Sequence, residues 1–117
     1  MRGRSSATGR RSRATARSDP VAQFDVYRLP DGVLVVDLQT DLIGLDATRL
    51  AAPLREEGAY ARFPGVTPIV EVEDRRWIVR LQELAAVPSA DLRVRVASLR
   101  HARDELERGL DILIDGF

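Results

Sequence analysis

The chain has 117 residues, 44% of them hydrophobic, with no cysteine, and its 18 basic residues are all arginine against 18 acids, for a formal net charge of zero. That length holds one small domain, and the lack of cysteine excludes disulfide staples, thiol chemistry and cysteine-ligated zinc. A hydrophobic core must supply the stability. Apolar runs such as Val33 to Val36 fall far short of the roughly 18 residues of a membrane helix, so a soluble chain with no membrane contact is expected.

Six arginines (Arg2, Arg4, Arg10, Arg11, Arg13 and Arg17) precede the first acid, Asp19, which leaves residues 19–117 with 12 arginines against 18 acids and a formal charge of −6. An acid-poor segment of Arg, Ser, Ala, Thr and Gly buries too little surface to offset its ordering entropy. Residues 1–20 are therefore expected to form a disordered tail outside a domain spanning 21–117. Three readings of the tail stand open: a phosphate-neutralising arm, an organelle transit peptide, and an over-extended start with the chain beginning at Val21.

Gln23 to Leu29 alternates, with Phe24 and Val26 on one face and Asp25 and Tyr27 on the other, the period-2 pattern of a half-buried strand. Pro30-Asp31-Gly32 supplies a turn and Val33 to Leu38 a second strand, so a hairpin is expected. Further strands are predicted over Leu50–Leu54, Val66–Val72, Arg76–Leu81 and Leu92–Val96, with Glu73-Asp74 as a turn and Pro53, Pro64, Pro68 and Pro88 near strand ends. The period then changes. Leu99, Ala102, Leu106, Leu110 and Leu113 recur at spacings of three and four, which predicts a helix from about Leu99 to Asp115 with Ser98 as N-cap and Gly116 as the left-handed C-terminal residue.

Enzymatic readings fail mostly on counting. His101 is the only histidine, so a two-histidine metal site is excluded, and no metal or cofactor is expected. Asp37 and Asp41 share a strand face, but their Cα atoms would lie roughly 13 Å apart, too far for paired carboxylates. Neither Ser89 nor Ser98, the serines that could join His101 and Asp104 in a triad, sits in a nucleophile elbow. An arginine and carboxylate ribonuclease site stays open on composition. In the predicted helix, Arg100 and Arg103 lie at the start and Asp111 and Asp115 at the end, the reverse of what the macrodipole favours. Pairs four apart, Arg100 with Asp104, Arg103 with Glu107 and Asp104 with Arg108, give partial relief. Because departures from local consistency gather at functional sites, the end formed by Ile114, Asp115, Gly116 and Phe117 reads as a binding surface.

An ordered set of segments resembles the CcdB family, the gyrase-poisoning toxins of bacterial type II toxin–antitoxin modules. The set is Gln23-Phe24-Asp25-Val26-Tyr27, Val36 through Ile43, Pro53-Leu54, Pro68, Trp77, Ala85-Ala86-Val87-Pro88, Leu99 with His101, and Gly116-Phe117. The resemblance implies a mainly β fold with a C-terminal helix, an SH3-like antiparallel barrel or sheet, assembled as a two-fold homodimer in the bacterial cytoplasm. It implies that the dimer enters the cavity between gyrase A subunits through Leu42, Ile43, Asp111, Ile114, Asp115, Gly116 and Phe117. A CcdA-like antitoxin is expected to cover Phe24, Tyr27, Thr40 and the tip Asp115, Gly116 and Phe117, aided by arginines such as Arg28, with operator DNA reached only through that antitoxin. Well-known members carry tryptophan at the position of Asp115 and asparagine at that of Asp111, so the aromatic anchor is missing here. Trp77 and Leu113 are assigned to the core or dimer seam. The alternatives are a ribonuclease toxin on the same fold, and a nucleic-acid-binding barrel that uses the arginine tail.

Overall fold

A computed structural model describes residues 22–40, 47–58 and 67–116; the tail and Val21 lie outside the described residues. The alternating segment forms β1 (Asp25–Arg28) and β2 (Leu34–Asp37), paired antiparallel with Val26 opposite Val36. Between them Gly32 takes φ 91° and the Asp31 carboxylate accepts the Val33 N–H at 3.0 Å, the turn chemistry that Pro-Asp-Gly encodes.

β3 (Thr48–Glu56) is longer than predicted and runs straight through Pro53. Its Ala51–Pro53 segment pairs with β2, and Leu54–Glu56 pairs with β5 (Arg75–Val79). Pro53 is thus mid-strand, not near an end. Its carbonyl accepts the Arg80 N–H at 2.9 Å, and a residue's nitrogen faces the same strand edge as its carbonyl. The missing N–H therefore faces the Arg80 carbonyl, where β5 gives way to a 3-10 turn, Leu81–Glu83, and that carbonyl is not left unpaired because it accepts the Glu83 N–H at 2.9 Å. Beyond that turn, β6 (Ala85–Pro88), a strand not predicted, resumes pairing with Thr48–Ala51.

β4 (Ile69–Val72) and β5 form a hairpin across Glu73 and Asp74, whose φ values of 54° and 63° give the double left-handed turn that matches strand twist. β7 (Val94–Ser98) lies beside β1, two residues later than predicted, because Leu92 is buried at the end of a 3-10 turn, Ser89–Asp91. The order β4-β5-β3-β2-β1-β7, with β6 also on β3, makes a curled antiparallel half-barrel closed at one end by a helix. The predicted fold class, mainly β with a C-terminal helix, is the one observed.

The helix starts later than its apolar stripe implies. Leu99 donates its N–H to the Phe24 carbonyl at 2.7 Å, tying it to the sheet. A 3-10 turn, Arg100–Ala102, follows, and α1 spans Arg103–Asp115 with Ala102, not Ser98, at its N-cap. The main core joins Val26, Leu34, Val36, Leu54, Val79, Leu81 and Leu99 to Leu106 of α1, with Trp77 and Leu110 packed against it. A second cluster, Tyr27, Val35, Ala51 and Leu92, lies on the other face of the same strands.

Candidate functional site

The buried face of α1 runs out before the helix does. Leu106 is fully buried and Leu110 half-buried, but Leu113 is 41% and Ile114 74% exposed. Leu113 is therefore not a core residue within one chain. Asp111, Asp115 and Gly116 are exposed as well. Gly116 takes φ 83° and donates its N–H to the Ile112 carbonyl at 2.9 Å, the expected left-handed termination. The last turn holds no basic residue, so Asp115 faces the negative helix end uncompensated. At the other end the dipole reading needs correction. Because α1 begins at Arg103, Asp104 and Glu105 occupy the first turn, where acids are favoured, and the Arg103–Glu107 pair forms at 3.2 Å.

Leu42, Ile43 and Phe117, with Asp41, lie outside the described residues. Thr40, the last described residue before Leu42, is exposed. The chain leading to it is anchored by a buried ion pair of Asp37 with Arg49. Arg49 and Asp37 are 1% and 0% exposed and joined through Nη2 and Oδ2 at 2.8 Å. Arg49 Nη2 also donates to the Gln39 carbonyl at 3.0 Å, the other Asp37 oxygen accepts the Gln39 N–H at 3.0 Å, and Gln39 Oε1 accepts the Leu50 N–H at 3.1 Å. Asp37 is thus the clamp of a buried ion pair. Arginine preceding Leu50 in a strand carries no sequence mark of burial.

Phe24 and Tyr27 are each 4% exposed, so a partner would meet little of either ring. Phe24 nevertheless holds φ 71°, a conformation costly for an aromatic residue. It is fixed there by its N–H to the Asp37 carbonyl at 2.6 Å and by Leu99 on its own carbonyl. Burial pushes the Tyr27 hydroxyl above its ordinary 10.0, with the Asp25 and Asp37 carboxylates adding to the effect; the Ala22 N–H that it accepts at 3.2 Å and Arg95 oppose it. Arg28 is paired with Glu73 at 2.5 Å across the mouth of the half-barrel. His101 is exposed on the 3-10 turn, and Ser98 Oγ accepts the Arg100 N–H at 3.4 Å.

The chain is a small β-rich protein, a curled sheet carrying an acidic helix end with apolar residues turned to solvent. The sequence model of the CcdB protein family matches residues 23–116, and the chain belongs to that family. The family's members are toxins of toxin–antitoxin systems that act on DNA gyrase, as poisons rather than enzymes. No helix among the described residues is long and apolar enough to cross a membrane.

Proposed function

We infer that residues 21–117 form a toxin domain that enters, as a two-fold dimer, the cavity between gyrase A subunits and traps the cleaved-DNA complex in the bacterial cytoplasm. The observation that carries this reading is Ile114, 74% exposed on a last turn that holds Asp115 and no basic residue and directly follows Asp111. Ile114 and Phe117 supply the apolar anchors. Asp115, where well-known members carry tryptophan, makes a charge-assisted contact to an arginine of the host's gyrase, and Asp111, Gly116, Leu42 and Ile43 complete the footprint. A CcdA-like antitoxin masks the same tip together with Thr40, meeting of Phe24 and Tyr27 only the 4% of each that is exposed, and it alone links the complex to operator DNA.

The test is gyrase supercoiling and cleaved-complex accumulation with purified protein, intact and carrying Phe117→Ala or lacking residues 115–117. Inhibition is expected from the intact chain and a loss of at least tenfold in potency from both variants. Undiminished inhibition by the truncated chain overturns the reading, as does cleavage of single-stranded RNA by the intact chain without any effect on gyrase.

A further inference from the structure

Three clefts follow one another along β7. The first, about 440 Å³, opens at its start between Arg28 and Arg93; the second, about 270 Å³, runs along Arg95 to Ser98; the third, about 310 Å³, lies just beyond, between Phe24, Arg100 and Arg103. Their charged lining is five arginines against Asp25 and Asp91, on a domain, residues 21–117, whose 12 arginines and 17 acids give a formal charge of −5. Arg95 and Arg103 are bound to Asp25 and Glu107, and Arg28 to Glu73. Arg93 and Arg100 are exposed and in no ion pair among the described residues.

β7 is also a sheet edge: among the described residues it pairs with β1 alone. An edge strand directs alternate N–H and C=O groups outward, a template for an added strand; in β7 that alternation breaks once, at Val96, where the register passes from Ala97 opposite Val26 to Arg95 opposite Tyr27. Val94, 54% exposed, stands between Arg93 and Arg95, so the edge offers an apolar contact flanked by cations.

We propose that the β7 edge is a docking groove for an extended acidic peptide of another protein, which adds as a strand and sets its carboxylates against Arg93 and Arg100. Main-chain bonds supply affinity and the arginines supply selectivity. The same charges repel the β7 edge of a second copy, so the groove discriminates against self-pairing. A nucleic acid would use the arginines but not the strand edge, and it would face the acidic surface around the groove. The proposal is independent of the helix tip.

The experiment titrates the full-length chain with a fluorescent octapeptide alternating glutamate and valine. Its controls are an arginine-for-glutamate peptide, a peptide with proline at alternate positions, and an oligothymidylate. Binding of the acidic peptide is expected, weakened at least tenfold by alternate prolines and by Arg93→Glu/Arg100→Glu, weakened by salt, and unchanged on deleting residues 115–117. Slowed hydrogen exchange at the Val94–Ser98 amides accompanies it. If the double charge reversal misfolds by circular dichroism, Arg93→Gln/Arg100→Gln is read instead. Equal binding by the proline peptide, binding indifferent to both arginine variants, or binding of the oligonucleotide in place of the peptide overturns the proposal. So does self-association of the wild-type chain that either arginine pair variant abolishes.

Discussion

Replacing Asp37 by alanine removes the carboxylate paired with Arg49 through Oδ2, 2.8 Å away, in a site where the two side chains are 0% and 1% exposed. Breaking one side of such a pair strands a buried charge and costs about 3–5 kcal/mol, against a total of roughly 5–15 kcal/mol for a domain. At several degrees per kcal/mol, the melting midpoint should fall by on the order of 20 °C. Arg49→Met should cost a similar amount. The double variant Asp37→Leu/Arg49→Met leaves no charge behind and should lie within about 1 kcal/mol of wild type, so the two changes are strongly non-additive. Urea unfolding followed by circular dichroism at neutral pH measures all four proteins. Single variants that each lose under about 1 kcal/mol would refute the reasoning, because the pair would then behave as a solvated one. The double variant also separates folding from function. It lacks the two side chains that bond the Gln39 backbone and keeps only the Leu50 N–H on Gln39 Oε1 among the bonds described above, so the segment carrying Thr40 toward Leu42 and Ile43 is held less firmly. A folded protein with a gyrase potency several-fold below wild type is the expected result.

Tyr27 predicts an alkaline limb. Below pH 10 folded and unfolded chains both keep the phenolic proton and stability is flat; above it the unfolded state releases the proton first, so stability falls until the raised folded value is passed. Tyr27→Phe should remove that slope in urea melts taken between pH 9 and 11, and an unchanged slope assigns it elsewhere. Leu106→Ala should cost about 2–5 kcal/mol, since Leu106 is fully buried. Leu113→Ala, at a position 41% exposed, should cost under about 0.5 kcal/mol; a larger, concentration-dependent loss would put Leu113 in the dimer seam. Asp74→Gly, at φ 63°, should raise stability by about 0.5 kcal/mol or more by relieving left-handed strain, and a lower melting midpoint would contradict it.

The β1–β2 hairpin was legible because an alternating segment and a short apolar run flank a Pro-Asp-Gly turn, and the helix because its leucines keep one stripe. β6 was not: Ala85, Ala86 and Pro88 are exposed, so nothing alternates. Pro53 misled because a proline marks a ladder bond that cannot form, and only the fold shows that the carbonyl facing it, that of Arg80, is taken by the Glu83 N–H. The helix start was hidden by the tie between Leu99 and Phe24, a contact that joins distant parts of the chain. Phe24's backbone conformation was equally silent, since phenylalanine has no leaning toward positive φ. Of the site, Asp111, Ile114, Asp115 and Gly116 could be singled out from charge order and resemblance. Arg49 could not, because its burial depends on the carboxylate that β2 places opposite β3.

The helix tip itself sets stability against use. Asp115 in the last turn of α1, which holds no basic residue, and Asp111 just before that turn oppose the helix dipole by about 0.3–1 kcal/mol or less each, Asp115 the more. Asp111→Arg and Asp115→Arg should therefore each raise the melting midpoint by a few degrees, because both positions are exposed and neither change buries a charge. If the proposed contact holds, the same changes abolish gyrase inhibition, since they reverse the sign of the surface proposed to meet a gyrase arginine and give repulsion in place of a pair. Stability gained together with activity lost is the signature of a surface shaped for binding. Thermal melts and a supercoiling assay on the same preparations decide it. Variants that melt no higher than wild type would refute the dipole argument, and more stable variants with undiminished inhibition would remove Asp111 and Asp115 from the gyrase contact.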